Sequence, residues 1–335
     1  MLDLQVNGFA GVDYNNPNLD VEEYEHSLQK MLATGVTACL PTLISASEDH
    51  LASCFSSLEK ARRDSSLAQS MVLGYHLEGP FLSAESGYRG CHPPEAMRAG
   101  DLGFFDRLQE VAGGMIRMVT VAPEIEGVLP LIETLSSRGI IVSLGHTSAG
   151  LDQIRQATKA GAMLSTHLGN GTATMLSKHD NPILAQLSED RLSACFIADG
   201  YHLSKEQLQL YLRAKGLARS ILVTDATAAA GAVPGIYGLG SMELERQQEP
   251  VAFAPNTGRP AGSAVTLDQC VQNVINWFDL SLDEAISLAS HNPRKIMAME
   301  SPETDDPEHC VKWKKEDGRW KVVEAQCGAF SIQNQ

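Results

Sequence analysis

The cysteines of this sequence form no recognisable pattern, and that absence restricts the chemistry that it can support. There are seven of them, scattered along the chain with no CxxC spacing. A disulfide framework needs paired cysteines and a thiolate zinc site needs closely spaced ones, so neither is expected. Unpaired cysteines are typical of a reducing compartment, and we therefore expect a cytoplasmic protein.

Basic residues are also scarce. The chain has 26 Lys and Arg against 41 Asp and Glu, which gives a formal net charge of −15. Such an acidic surface argues against nucleic acid or an anionic membrane as a partner. No uninterrupted apolar run approaches the ~18 residues of a membrane helix, and the first residues do not have the pattern of a signal peptide. A small anionic substrate is not excluded, because a local site can be positive on an acidic protein.

The glycine-rich loops of the two common nucleotide-binding folds are missing as well, since neither GxGxxG nor GxxxxGK[ST] follows an apolar segment. Instead, apolar β-branched segments alternate with amphipathic segments of helical period. The first predicted helix begins after Asp20 as its N-cap and ends at Gly35. The last, residues 266–278, follows a long excursion. Eight segments are predicted as strands: residues 2–8, 36–43, 71–79, 115–124, 140–147, 162–170, 191–200 and 220–226.

Eight alternating strand–helix units predict an α/β fold with a parallel sheet. This number fits a closed (β/α)8 TIM-type barrel better than an open sheet. The alternation ends near residue 298, and a short β-hairpin is predicted around Asp317-Gly318. We therefore divide the chain into a barrel, residues 1–298, and a small C-terminal β appendage, residues 299–335. We interpret the appendage as the remnant of a β-sandwich.

Polar residues cluster at the predicted carboxyl ends of these strands, where such barrels keep their active sites. Side chains along a strand alternate in direction, so Gln5 and Asn7 share one face, as do His76 and Glu78. A lone histidine at a strand end is more often structural than a ligand, but here several coincide with carboxylates on one rim. The other members of the set are His146, His167, Asp199, His202 and Asp225.

Glu78, His146 and His167 together form a set of two imidazoles and one carboxylate. Zinc enzymes commonly use three such ligands and leave the fourth position for water. A bound metal would lower the pKa of that water from 15.7 toward ~7. Asp225 would then be free to act as a base. We interpret His76 as a structural residue that orients Glu78 or fills the barrel.

Seven motifs occur in an order that resembles N-acetylglucosamine-6-phosphate deacetylases of the amidohydrolase superfamily. The resemblance extends from about residue 2 to residue 298. No single motif is specific, but the ordered set is. The motifs are HLEGPFL (76–82), GHTSA (145–149), THLGNG (166–171), IADGYHL (197–203), VTDA (223–226), AAAGAVPGIYGLG (228–240) and PAGSAVTLDQ (260–269).

The resemblance implies a metal-dependent deacetylase in which Glu78, His146 and His167 bind a divalent ion. It implies that Asp225 takes a proton from the water that the metal activates and later donates one to the leaving amine. His92 would contact the acetamido carbonyl of the substrate. His202 would contact the sugar. Asn170 and the backbone of Gly171 would help to hold the sugar phosphate.

The first strand departs from the pattern of most amidohydrolases, which carry HxH where this chain has Gln5 and Asn7. Amides are poorer ligands for transition metals than imidazole is. Since some deacetylases of this family share the QxN variant, we predict one metal ion, most plausibly Zn²⁺. A second departure is Gly169, which stands where family members usually carry an aromatic residue.

The residue that would supply a cation for the substrate phosphate also departs from the family's pattern. Family members commonly place an arginine eleven residues after the histidine of the THL motif, where it reaches into the neighbouring subunit. In this chain the position is Lys178, which predicts a homodimer if the lysine serves in trans. The alternative is an ordinary solvated lysine. Lysine is a point charge, whereas arginine offers phosphate a bidentate fork.

Two other functions compete with this interpretation. The first is a related amidohydrolase that acts on another N-acetyl amino sugar, with or without a phosphate, or on another N-acyl substrate. The second is a catalytically silent barrel that binds a sugar phosphate. Loss of Asp225 or of a metal ligand would have favoured the silent barrel, but all of these residues are present.

Overall fold

Eight parallel strands form the centre of the computed structural model, which describes residues 1–254, 260–299 and 309–334. Each strand pairs with the next barrel strand along the chain. With strands numbered in chain order, a hairpin of β2 (Gly8–Phe9) and β3 (Val12–Asp13) follows the first. The barrel strands are β1 (Leu2–Val6), β4 (Ala38–Ile44), β5 (Tyr75–Glu78), β6 (Ile116–Val121), β7 (Ile141–Leu144), β8 (Leu164–Ser165), β9 (Ser193–Phe196) and β10 (Ser220–Leu222).

The barrel closes between β1 and the residues that follow β10. The backbone N–H of Asp225 donates to the carbonyl of Gln5 at 3.0 Å, and that of Asn7 donates to the carbonyl of Ala226 at 2.7 Å. The Asp3 carboxylate adds a side-chain link, because it accepts from the hydroxyl of Thr224 at 2.6 Å and from its backbone N–H at 3.2 Å. The sheet is therefore the predicted (β/α)8 barrel.

Helices cover the outside of the barrel. Asp20 caps the first of them, accepting from the backbone of Glu22 and Glu23, and Gly35 follows its end with a φ of +84°. Both predicted boundaries of this helix are confirmed. The helices are α1 (Val21–Ala33), α2 (Glu48–Asp64), α3 (Ser66–Met71), α4 (Leu102–Val111), α5 (Val128–Ser137), α6 (Leu151–Ala160), α7 (Pro182–Ser188), α8 (Lys205–Lys215), α9 (Leu267–Phe278), α10 (Leu282–Ala289) and α11 (His291–Ile296).

All eight predicted strands exist, but several end earlier than their apolar patterns indicate. The segments 140–147, 162–170 and 220–226 stop pairing at residues 144, 165 and 222. The reason is local backbone conformation, since His146, His167 and Asp225 all have positive φ values of 50°, 24° and 49°. Left-handed backbone interrupts the regular geometry of a strand, and such conformations concentrate at functional sites.

The long excursion after Asp225 is a four-stranded antiparallel sheet that the sequence analysis did not resolve. Its strands are β11 (Gly235–Leu239), β12 (Met242–Arg246), β13 (Val251–Phe253) and β14 (Pro260–Ser263). Residues 255–259 lie outside the described chain. The Asp13 carboxylate in β3 accepts from the backbone of Gly240 at 2.7 Å and so ties this sheet to the first strand's hairpin. A small apolar cluster packs beneath it, around Leu239, Leu244 and Ile44.

The C-terminal segment forms a three-stranded antiparallel sheet of β15 (Val311–Glu316), β16 (Arg319–Cys327) and β17 (Phe330–Gln333). Asp317 and Gly318 both have positive φ, as a two-residue hairpin turn of the predicted position requires. Buried residues of β16 belong to the same apolar cluster as the barrel. We propose that residues 299–335 are an appendage to the barrel at 1–298, although residues 300–308 and 335 lie outside the described residues. No helix in the described part of the chain is long and apolar enough to cross a membrane.

Candidate active site

The carboxyl ends of three barrel strands bring Glu78, His146 and His167 together. Glu78 is the last residue of β5, and the two histidines follow β7 and β8. Their ligand atoms converge on one point. The Glu78 Oε1 atom lies 2.9 Å from His167 Nε2 and 3.3 Å from His146 Nε2, and the two Nε2 atoms are 3.2 Å apart. All three side chains are buried.

This arrangement fits a divalent metal ion. In a tetrahedral zinc site with metal–nitrogen bonds of 2.0–2.1 Å, neighbouring ligand atoms lie roughly 3.3 Å apart. His146 Nδ1 lies 2.9 Å from the carbonyl of Tyr88, which can only accept, so this nitrogen carries the hydrogen. The Nε2 atom that faces Glu78 therefore presents its lone pair. Fixing the tautomer through the other ring nitrogen is typical of metal-binding histidines.

Electrostatics support the same conclusion. Burial alone would raise the pKa of Glu78, but hydrogen bonds with His146 and His167 hold it well below its ordinary value. Burial alone would lower the pKa of His167, yet the hydrogen bond with Glu78 raises it to about 9. The carboxylate thus draws positive charge to the point where the three groups meet. A divalent cation supplies that charge without protonating the imidazole.

His92 stands at the edge of this group. Its Nε2 atom lies 3.8 Å from Glu78 Oε2, and its Nδ1 atom lies 2.9 Å from the hydroxyl of Ser45. Ligand atoms of Glu78, His92 and His146 all lie within 4.8 Å of one another. Burial, reinforced by the neighbouring His146, lowers the pKa of His92 to about 3. A neutral imidazole therefore faces the metal position.

Asp225 lies on the other side of the barrel mouth, after β10. Its Oδ1 atom accepts from Asn7 Nδ2 at 2.7 Å and from Gln5 Nε2 at 3.1 Å. Burial raises the pKa of Asp225, with His167 opposing and Glu78 adding to the shift. Asp225 is therefore a carboxylate with a raised pKa at the same end of the barrel as the candidate ligands, and a general base requires such a group.

Sequence relatives of the chain are deacetylases of N-acetylated sugar phosphates. The N-acetylglucosamine-6-phosphate deacetylase of Danio rerio is 34% identical over 308 residues, covering 89% of this chain and 74% of the relative. The N-acetylgalactosamine-6-phosphate deacetylase of Escherichia coli O157:H7 is 31% identical over 300 residues, covering 89% and 77%. No family model matches the chain.

A solved structure agrees with these relatives. The N-acetyl-D-glucosamine-6-phosphate deacetylase of Mycobacterium smegmatis, in mutant form and in complex with N-acetyl-D-glucosamine 6-phosphate, superposes with a TM-score of 0.89. It is 28% identical, and the match covers 99% of this chain and 86% of that one. The chain belongs to the N-acetylglucosamine-6-phosphate deacetylase family. Members of this family are hydrolases that act on an amide C–N bond.

Two further residues of the predicted site, Asn170 and Gly171, lie against the candidate metal ligands. The Asn170 amide donates to the carbonyl of His167 at 3.1 Å, so it braces the backbone of a candidate ligand. Gly171 has a φ of +57°, and a Cβ there would lie 2.5 Å from His146 Nδ1. Only glycine fits against the imidazole at this point. A Cβ at Gly169 would meet the side chain of Leu203 at 2.7 Å.

His202 is held by Asp199. The His202 Nδ1 atom donates to Asp199 Oδ2 at 2.6 Å, and Asp199 Oδ1 accepts from the backbone of Tyr201 and His202. The imidazole is therefore fixed in one tautomer.

Lys178 differs from the other predicted site residues, because it is exposed on the loop between β8 and α7. Among the contacts of the described residues, none joins Lys178 to the cluster.

The structure also reveals residues of the site that sequence reasoning missed. Ser45 contacts His92 and donates to the Glu78 carbonyl at 3.2 Å, but nothing in its sequence context indicated this. Asp3 had a usable signal, because it lies on the same face of β1 as Gln5 and Asn7. His76, which the sequence analysis interpreted as structural, lies inside the barrel, 2.7 Å from the Thr120 hydroxyl, and burial lowers its pKa to about 4.

Proposed function

We propose that this chain hydrolyses the acetamido bond of N-acetylglucosamine 6-phosphate to glucosamine 6-phosphate and acetate. The observation that carries the proposal is the convergence of Glu78, His146 and His167, in a chain of this family, at the end of the barrel that also carries Asp225. The two imidazoles and one carboxylate would hold a single divalent ion. Zinc is the expected metal, because it suits imidazole and carboxylate ligands and tolerates an open coordination position.

The ion, when bound, supplies a Lewis acid that activates water and polarises the acetamido carbonyl. Asp225 accepts a proton from the attacking water as the water oxygen bonds to the carbonyl carbon. The same carboxyl group then returns the proton to the amide nitrogen as the C–N bond breaks. His92 donates a hydrogen bond to the carbonyl oxygen, where negative charge develops. Acetate and the free amine leave.

Substrate binding uses the loops that follow β8 and β9. We assign a sugar contact to His202, whose orientation is fixed by Asp199. Asn170 and the backbone of Gly171 would hold the phosphate. Lys178 would complete the phosphate site of a neighbouring subunit, and the working unit is then a homodimer. Its exposure is what a contact in trans requires.

The state of the cysteines supports a proposal for the compartment. All seven are unpaired, and five of them are buried. Free thiols in this number persist in a reducing environment, so we propose a cytoplasmic location.

A second candidate substrate is N-acetylgalactosamine 6-phosphate. A relative named for that activity is 31% identical, close to the 34% of the relative from Danio rerio. The metal and the base would act identically on both sugars, because the epimers differ at a hydroxyl and not at the amide. Discrimination would depend on the loops that carry Gly169 and His202.

The test is acetate release by the purified, metal-analysed protein from both phosphorylated epimers and from unphosphorylated N-acetylglucosamine. The proposal predicts the highest kcat/KM with N-acetylglucosamine 6-phosphate. A preference for the galactosamine epimer would favour the second candidate. Binding of the sugar phosphates without acetate release would identify a silent barrel and overturn the proposal.

A further inference from the structure

The amide side chains of Gln5 and Asn7 occupy the rim of β1, directly against Asp225. Both are buried, with exposed fractions of 1% and 2%. The atoms that face the carboxylate must be the amide nitrogens, because a carboxylate oxygen accepts and would repel an amide oxygen. Their distances to Asp225 Oδ1 are 2.7 Å for Asn7 and 3.1 Å for Gln5.

The two donors converge on the same oxygen of Asp225. In the described part of the chain, no hydrogen bond reaches Oδ2, so this atom is left for a reacting proton. The backbone at this point is fixed as well. The N–H of Asp225 donates to the Gln5 carbonyl at 3.0 Å, and the preceding residue, Thr224, is bound to Asp3 through its hydroxyl and its N–H.

Stability alone does not account for Asn7. Its Oδ1 atom is buried without a hydrogen-bond partner among the described residues. An unsatisfied buried acceptor destabilises the folded state, and an apolar residue of similar shape would avoid that cost. The amide is therefore explained by what its nitrogen does, or by a ligand that its oxygen meets during the reaction.

We infer that Gln5 and Asn7 are positioning residues for the base. The inference rests on the proposed function, in which Asp225 moves the proton. The amide pair holds Oδ1 through two hydrogen bonds and so aims Oδ2 at the attacking water. The pair acts on the chemical step, because the contact that each nitrogen makes is with the base. Asn7, with the shorter contact, contributes more than Gln5.

The test is a double-mutant cycle between Asn7→Leu and Asp225→Asn, with Gln5→Leu as a second variant and the exposed Asn18→Leu as a matched control. Displacing a positioned group by about 1 Å can cost roughly 10²-fold in rate. We expect Asn7→Leu to lower kcat by about 10- to 100-fold with KM within about threefold of the wild-type value. Gln5→Leu should cost less, and Asn18→Leu nothing.

In the Asp225→Asn background, Asn7→Leu should lower kcat by less than about threefold, because residues that act through one group are not additive. Elemental analysis and the thermal unfolding midpoint should show a folded, metal-loaded variant. Equal losses in both backgrounds, an unchanged kcat, or loss of the metal from Asn7→Leu would each overturn the inference. If Asp225→Asn itself kept its turnover, the role of Asp225 as base would fail, and the inference with it. Failure of the proposed function is a different result, because the wild-type protein would then release no acetate.

Discussion

The two sides of the barrel mouth differ in the groups that they present: the metal side, with Glu78, His146 and His167, presents candidate metal ligands. The base side, with Gln5, Asn7 and Asp225, presents hydrogen-bond donors to a carboxylate. On one side, residues at the carboxyl ends of β5, β7 and β8 direct a carboxylate and two imidazoles to one point, with ligand atoms 2.9 to 3.3 Å apart. On the other, the first strand aims two amide N–H groups at the Asp225 carboxylate. The first side attracts a cation, and the second offers hydrogen-bond donors. One rim can therefore hold a metal and keep a free base beside it.

The largest expected effect is on the metal side. His146→Ala removes one of the three proposed ligands and should abolish most bound metal and nearly all acetate release. Elemental analysis and the acetate assay measure the two losses together, with exposed His26→Ala as the control. Full metal occupancy and activity in His146→Ala would remove this histidine from the proposed site.

A change on the base side should separate activity from metal binding. Asp225→Asn keeps the shape and loses the proton acceptor. General acid–base catalysis typically contributes ~10²–10⁴-fold, so kcat should fall by at least this factor while the metal stays bound. Turnover within a few-fold of wild type would exclude Asp225 as the base and would contradict the assignment of proton transfer to this side of the barrel mouth.

The metal side was also easier to predict from sequence. Histidines and carboxylates are recognisable by residue type, and the strand–helix alternation alone predicts that they lie at the carboxyl ends of strands. Their convergence depends on the curvature of the sheet, which closes through backbone hydrogen bonds between Gln5 and Asp225 and between Asn7 and Ala226. Backbone conformation was not predictable in this way, because His146, His167 and Asp225 lie in left-handed regions that apolar patterns do not reveal.

The contacts on the base side could not be predicted from the sequence. Gln5 and Asn7 were recognised as unusual, but their contact with Asp225 joins residues 218 and 220 positions apart. The sheet of β11 to β14 was missed because its strands are short and contain glycine and proline, which are depleted in strands. Ser45 was missed because a single serine carries no periodic signal.

A smaller effect is expected at Lys178, the proposed contact for the substrate phosphate, which lies away from both sides of the barrel mouth. Hydrogen bonds to charged groups are worth about 1.5–3 kcal/mol, so Lys178→Ala should raise KM for the phosphorylated sugar by about tenfold or more. KM for the unphosphorylated sugar should be nearly unchanged, and Lys159→Ala, an exposed lysine of α6, serves as control. Steady-state kinetics and light scattering provide the readouts. Equal effects on both sugars, or a fully active monomer, would show that Lys178 is not the phosphate contact.

The last expected effect is on folding stability and concerns Asp3, which links β1 to Thr224 where the barrel closes. Burial raises the pKa of Asp3 from 3.8 to about 7. A carboxyl group with a raised pKa in the folded state contributes stability below its unfolded pKa and loses it as pH rises through the folded value. Wild type should therefore lose stability relative to Asp3→Asn between about pH 4 and pH 7. Urea unfolding of both proteins at pH 5 and pH 8 measures this difference, and a pH-independent difference would contradict it.

The most direct test of the account is the number of metal ions per chain in the purified protein. Three ligands on one side and two amide donors on the other predict one tightly held divalent ion, most plausibly zinc. Elemental analysis should give a ratio close to one, with the ion lost in His146→Ala and kept in Asp225→Asn. Two tightly held ions per chain would show that Gln5 and Asn7 tolerate a cation, and would contradict the division between the two sides of the rim.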